Sequence, residues 1–308
     1  MSIPRDHHYL PRFYLDRWAT NGKVVRYLRP RGANGPLSIK SKPVSAIAYQ
    51  RDLYHLPDID DDRNSQSLEL DFFQRIDDRA AVALRKLDAG ERGSFADRVA
   101  LSQFMISLMH RSPSRLENIR QELAQNTEGA PYETASGEHY EKLIKATANR
   151  LLATLVESPE GARVVGRFKV FATSLQGGQT KLLTADRPVT ISAQLIAPDA
   201  FMILPYAPDR LAILAHDQRV AKSFADQDPD VLANGINRAV VEQSQDIIVA
   251  ADRTETKMIE SLFMRPSQDV VFDSIGFIRR RSPFVDLMPQ VRKFSAKRKR
   301  DMLYLGRD

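Results

Sequence analysis

The chain has 308 residues, 43% of them hydrophobic and 27% charged, which is enough apolar sequence for a sizeable core and the ordinary composition of a globular protein. It contains no cysteine, so disulfides, thiolate zinc sites and cysteine nucleophiles are excluded. The net charge of +6 is carried by the end of the chain: residues 279–308 hold ten Lys or Arg and three Asp, a net +7, and the remaining 35 basic and 36 acidic side chains give −1. A uniformly basic surface would suggest a nucleic-acid groove, whereas a basic arm on a neutral body suggests a tether or an interaction segment.

The N-terminal MSIPRDHHYL lacks the apolar core of a secretory signal, and no stretch approaches the roughly 18 unbroken apolar residues of a membrane span. A cytoplasmic protein with no membrane partner is therefore expected. The segment 7–18 mixes histidine, aromatics, proline and arginine. VVRYLRP follows as a short strand, then RGANGP as a turn, and residues 44–56 continue in short extended pieces. Residues 58–64 form an acidic loop.

Between 68 and 87 the apolar residues fall at Leu68, Phe72, Ile76, Ala80, Leu84 and Leu87, the spacing of a helix with one buried face. Gly90 and Gly93 end it. Ser94 and Asp97 read as a capping box opening the next helix, whose core stripe is Leu101, Phe104, Met105 and Leu108. Pro113 lacks a backbone donor and is expected to break that helix near Arg111, after which Leu116, Ile119 and Leu123 resume the period. A further helix spans about 140–156.

Pro159 and Gly161 mark the passage into strands. RFKVFATSL and TKLLTADRPV, joined at QGGQ, predict one hairpin. AFMILPY and RLAILAH, joined at APD, predict a second, with Pro205 at a strand end or an edge. Asp228 before Pro229 opens another helix. Segregated helices and hairpins of this kind define an α+β fold, a helical middle packed with antiparallel hairpins, in one main domain from 1 to 278 followed by a basic C-terminal arm, 279–308.

HHYLPRFYLDRWA resembles the opening of the bacterial family known as domain of unknown function 4238, whose hallmark is H-H-Y-x-P-x-x-Y-L-x-x-F. Trp18 stands at the usual Phe. LELDFFQRIDDRAAVALRKL is similar to that family's first long helix, FMISLMHRSPSR to its R-x-P-x-x-R helix end, LLTADRPV to its S-D-N-P-V strand end, and LPYAPDRLAIL to its P-L-x-P hairpin. The helix containing Asn237 is similar to its N-rich helix. The matches run in common order over about residues 7–250. The departure is Ala185-Asp186-Arg187, where the acid of S-D-N is kept and both polar neighbours are changed. The resemblance implies a fold and a candidate site but no activity.

Adjacent histidines on a strand face opposite ways, so at most one of His7 and His8 enters a given site. His8 is the candidate ligand or general base, against the plainer role of a histidine packed on Tyr9 and Phe13. Asp186 sits at a strand end before Pro188, where a carboxylate serves either a site or its own turn. Arg111 and Arg115 flank Pro113, and their guanidinium groups suit a phosphate or carboxylate unless neighbouring acids already pair them. Asn237 orients a ligand or caps buried backbone. Glu69, Asp71, Asp77 and Asp78 crowd one helix. Glu69 and Asp77, eight residues apart, lie near one face, which makes a divalent metal a candidate cofactor against the commoner case of a solvated face.

No P-loop, Rossmann, nucleophile-elbow or zincin motif is present. Two functions remain. One is a phosphate-directed, nuclease-like hydrolase with His8 and Asp186 in the chemistry and Arg12, Arg111 and Asn237 on the substrate. The other is a non-enzymatic nucleic-acid or protein interaction module that recognises its partner through the tail. The first requires His8, Arg12, Asp186 and Asn237 to line one concave surface with Arg111 at its edge.

Overall fold

A computed structural model describes residues 3–29, 35–91, 93–126, 137–158, 166–192 and 197–263. The basic arm predicted at 279–308 lies outside the described residues.

The N-terminal segment forms β1 (Asp6–His8), the short helix α1 (Arg12–Leu15), β2 (Lys23–Leu28), β3 (Ser38–Pro43) and β4 (Tyr49–Arg51). The helical middle follows as α2 (Gln74–Asp88), α3 (Phe95–His110), α4 (Pro113–Asn126) and α5 (Gly137–Val156). Then come β5 (Lys169–Ser174), β6 (Thr184–Ala185), β7 (Thr190–Ile191), β8 (Phe201–Ala207) and β9 (Arg210–Ala215). Helices α6 (Gln218–Ala225) and α7 (Pro229–Gln243), strand β10 (Ile247–Ala250) and helix α8 (Thr256–Phe263) complete the described chain. Every strand pairing is antiparallel, in sheets ordered β1-β4, β3-β2-β10-β6 and β5-β9-β8-β7. Among the described residues no helix is long and apolar enough to cross a membrane.

The α+β class is as the sequence predicts, and the strand sequences show how it is layered. Met202, Leu204 and Tyr206 of β8, with Ile247 and Val249 of β10, pack on one core shared with α2, α3, α4 and α5. Their alternate neighbours Phe201, Ile203, Ile248 and Ala250 pack on a second core shared with α6, α7 and α8. Side chains on a strand alternate between faces, so a strand buried on both must read as a continuous apolar run. FMILPYA and IIVA are such runs.

The helix-starting signals hold. Ser94 and Asp97 make the reciprocal capping box of α3, and the Asp228 side chain accepts from the Asp230 and Val231 amides at the start of α7, with Pro229 in its first turn. The chain breaks at Pro113 as expected: α3 ends at His110 and α4 begins at Pro113, with Ser112 Oγ accepting from the Arg115 amide at 3.4 Å.

Two local expectations fail, and the one for Pro205 holds in a local form. The Gly177-Gly178 pair does not close a hairpin, because β5 pairs with β9 and β6 pairs with β10. Residues 175–180 instead pack on the start of α7, where the Asp230 carboxylate accepts from the Gln179 and Thr180 amides. A Cβ on Gly178 would come within 3.0 Å of the Pro229 Cβ, so this glycine serves close approach rather than a two-residue turn. Pro205 lies inside β8 but beyond Met202 and Ile203, the residues that β7 covers, so its outer side is a local edge and its carbonyl takes Tyr14. The ladder with β9 shifts register between Pro205 and Ala207, and such an irregularity tolerates a residue that cannot donate. Residues 68–73 form a widened π-helical turn before α2 rather than its first regular turn.

The N-terminal motif ties these layers together. Tyr14 Oη donates to the Pro205 carbonyl at 2.6 Å and lies 2.8 Å from Thr184 Oγ1, joining α1 to β8 and β6. Trp18 is buried, and its indole N–H donates to the Leu182 carbonyl at 2.8 Å. A phenylalanine there would leave that carbonyl without this donor, which accounts for the aromatic present.

Candidate functional site

The polar residues singled out by sequence gather in two neighbouring groups on either side of the Pro113 break. The first surrounds Arg111. Its side chain is fully buried, and the residue ends α3 so that the guanidinium reaches back into the core. Nε donates to the Tyr9 carbonyl at 2.8 Å and Nη1 to Asp77 Oδ1 at 2.9 Å. The rings of Phe73 and Phe104 lie 5.8 and 5.5 Å from the guanidinium carbon. The Tyr54 hydroxyl donates to the Arg111 carbonyl at 2.7 Å.

Glu69 on the widened turn belongs to this group. Its carboxylate accepts from the His8 backbone N–H and feels the Arg111 charge, yet burial pushes its pKa up to about 7. Burial likewise pushes Asp77 up to about 6, against the opposing pull of Arg111. Both acids are thus pushed above the ordinary carboxylate range, as carboxylates at functional sites often are.

His7 and His8 face opposite ways, as strand neighbours must. His7 is fully buried, stacks on Tyr54, and accepts from the Tyr54 amide at Nδ1, 3.0 Å. Burial lowers its pKa to about 4, so it is a neutral structural histidine. His8 is half-buried beside Tyr49, and burial and then the Arg12 charge lower its pKa. Arg12 itself is exposed at the start of α1. His8, Arg12, Glu69 and Arg111 are therefore brought together.

The second group lies across Tyr9. Asp186, buried at the end of β6, accepts from the Gln245 amide and the Asp246 amide at 3.2 Å. Burial raises its pKa to about 6, opposed chiefly by Arg187. Arg187 Nη2 reaches Ser114 Oγ at 3.3 Å, on the first turn of α4. Arg115, 4% exposed, stands on that same turn. His110, the last residue of α3, has its pKa driven down to about 3 by burial and then by the charges of Arg115 and Arg187. Asp186, in turn, is among the charges that raise the Tyr9 pKa.

Asn237 is used by the scaffold. Its Oδ1 accepts from the Leu183 amide and its Nδ2 donates to the Lys181 carbonyl, both at 2.8 Å, so it clamps the strand that delivers Asp186 and Arg187. Among the described residues no hydrogen bond or ion pair joins His8 to Asp186 or Asn237. Arg111 is not an edge residue facing outward; Asp77 and the Tyr9 carbonyl hold it inside. Among the described residues, no group of three or more His, Asp or Glu is arranged to hold a metal ion.

His110 and Arg187 went unrecognised in sequence. The available signal was local: His110 abuts the helix break, and Arg187 replaces a polar position of the strand-end motif with a cation.

Antiparallel sheets whose strands β8 and β10 are buried between two helical layers, with a polar seam at a broken helix, characterise this class of protein. The family model described as Protein of unknown function (DUF4238) matches residues 6–254, and the chain belongs to that family. No curated protein and no solved structure matches it.

Proposed function

We propose that the protein binds a phosphate-bearing ligand at the corner formed by Ser112, Ser114, Arg115, Arg187 and His110. The observation that carries this reading is the 3.3 Å approach of Arg187 Nη2 to Ser114 Oγ, which joins a cation from a strand end to the first turn of α4. The N-terminus of that helix carries partial positive charge, and since Pro113 lacks an N–H and Ser112 takes the Arg115 and Leu116 amides, the donor of its first turn is the Ser114 amide. Arg115 adds a second guanidinium on the same turn, and guanidinium forks match phosphate oxygens. Neutral His110, its pKa lowered by burial and then by both cations, gains proton affinity when an anion arrives.

Hydrolysis of a phosphate ester is the reaction that suits this corner. Asp186, adjoining Arg187 and with its pKa near 6, is the group suited to take a proton from an attacking water. His8 contributes from the Arg111 side, with Arg12 beside it, and Asn237 acts by positioning β6. A divalent metal is a candidate cofactor for such phosphate chemistry. We place the protein in the cytoplasm, on its lack of cysteine and of a membrane-length apolar helix among the described residues.

Calorimetric titration with inorganic phosphate and a nucleoside monophosphate tests binding. Arg187→Ala should weaken it by at least about tenfold, or ~1.4 kcal/mol, measured on folded protein. Equal binding by both proteins overturns the site. A screen of phosphate mono- and diesters with Asp186→Asn tests turnover: binding without turnover by the unaltered protein makes it an interaction module.

The interaction reading has its own support in the net +7 of residues 279–308. Removing them should lower DNA and RNA affinity and flatten its salt dependence, because each phosphate contact releases counterions. Unchanged binding, or none by either form, sinks that reading.

A further inference from the structure

We propose that Lys145 is a modification site, an amine that takes acyl groups from small acyl phosphates, with Arg120 drawing the phosphate end of the reagent to it. Lys145 stands on α5, half-buried, and makes no hydrogen bond or ion pair among the described residues. Its Nζ is not among the buried polar atoms, so solvent and a small reagent reach it. Lys86, Lys142, Lys181 and Lys222, by contrast, each hold a carboxylate at 2.6–2.9 Å. A paired ammonium keeps its proton, whereas a half-buried one without a counter-charge gives it up more readily.

The packing of α4 on α5 brings Arg120 beside this amine. Ile119 and Ala148 meet in the seam between the two helices; Arg120 follows Ile119, and Lys145 lies one turn before Ala148 on the same side of α5. Arg120 Nη1 lies 3.5 Å from the exposed Glu117 carboxylate, while its Nε and Nη2 are buried and have no hydrogen-bond partner. One turn after Lys145, Asn149 donates to the His55 carbonyl at 3.0 Å, which sets the 52–55 segment against the same face. Burial and then the Arg120 charge lower the Lys145 pKa, opposed by Asp52, and burial and then the Lys145 charge lower that of His55. These surroundings favour the neutral amine, which is the nucleophilic form. A guanidinium beside it favours an anionic reagent, and phosphate suits guanidinium. An acyl phosphate joins that anion to an activated acyl carbon. Nζ attacks the carbon, an N–C bond forms, the C–O bond to phosphate breaks with its electron pair, inorganic phosphate leaves and the amine proton passes to water. The product amide is uncharged, so the modification removes a cation from the seam.

The test treats the full chain with acetyl phosphate and follows acetylation of each lysine by peptide mass spectrometry. Lys145 should react severalfold faster than Lys23 and Lys257, which are exposed and make no ion pair among the described residues. Its rate should level off below the ordinary lysine pKa of 10.5 as pH rises. A Lys145 rate no higher than those of Lys23 and Lys257 overturns the proposal. Arg120→Gln should slow Lys145 severalfold and leave Lys23 and Lys257 unchanged; an unaltered Lys145 rate removes Arg120 from the site and overturns its part. The uncharged reagent N-hydroxysuccinimidyl acetate, applied to the unaltered protein, asks the same question without a variant. The preference for Lys145 should shrink with it, and an equal preference for both reagents overturns the acyl phosphate as the class.

Discussion

His110 and Arg111 are adjacent at the end of one helix, yet they belong to two different electrostatic worlds. Arg111 turns inward to Asp77, Glu69 and two aromatic rings, so its charge is matched within the protein. His110 meets Arg115 and Arg187, and its environment favours the loss of positive charge. A buried cation with its own carboxylate is part of the scaffold. Cations drawn together at a helix N-terminus are suited to an incoming anion. The break at Pro113 makes both possible, because consecutive residues at a helix end point to different sides.

The largest expected effect lies on the inward side. Asp77→Ala leaves the Arg111 charge buried without its salt bridge and should cost about 3–5 kcal/mol in urea denaturation. A loss below about 1 kcal/mol would mean that the two sides are equally solvated and the contrast is false.

The next concerns pH. The folded-state pKa of Glu69 is raised to about 7 from an ordinary 4.5. A raised pKa contributes stability that is fully present below the unfolded value and lost as pH rises through the folded one. Glu69→Gln cannot ionise, so relative to the unaltered protein it should become progressively more stabilising from pH 4.5 to pH 7, by ~1–3 kcal/mol at pH 8. His110 runs the other way: with its pKa lowered to about 3, its contribution is present above 6.5 and lost as pH falls toward 3. His110→Gln should therefore gain relative stability only in acid. Parallel pH curves for the two variants would erase the distinction between the sides.

A smaller loss is expected at the break itself. Ser112→Ala removes the side chain that accepts the Arg115 amide and should cost about 1 kcal/mol, and phosphate affinity should fall with it as the first turn of α4 frays. Arg187→Ala is expected to cost less than Asp77→Ala, because Arg187 is half-buried whereas the Arg111 that Asp77 pairs is fully buried. A large loss of stability there would mark Arg187 as scaffold.

Local signals in the sequence carry much of this. The capping box at Ser94 and Asp97, the Asp228–Pro229 start and the Pro113 break are each decided within a few residues, since caps and prolines act on their own backbone. The apolar runs FMILPYA and IIVA betray strands buried on both faces. The opposite facing of His7 and His8 follows from strand geometry alone. The R-x-P-x-x-R segment and the strand-end acid are the stretches of chain on which the proposed site is built.

Only the tertiary structure decided what those residues meet. Arg111 finds its carboxylate 34 positions earlier in the chain and Arg187 finds Ser114 73 positions earlier, and no local pattern encodes either distance. Asn237 is spent on the backbone of Lys181 and Leu183, and Gly178 serves a close approach to α7 rather than a turn. Backbone propensity is fixed by neighbours in sequence, whereas charge compensation and burial are fixed by neighbours in space. For this protein the first determined the elements, and the second determined that Arg111 pairs with Asp77 inside the core while Arg187 meets the first turn of α4.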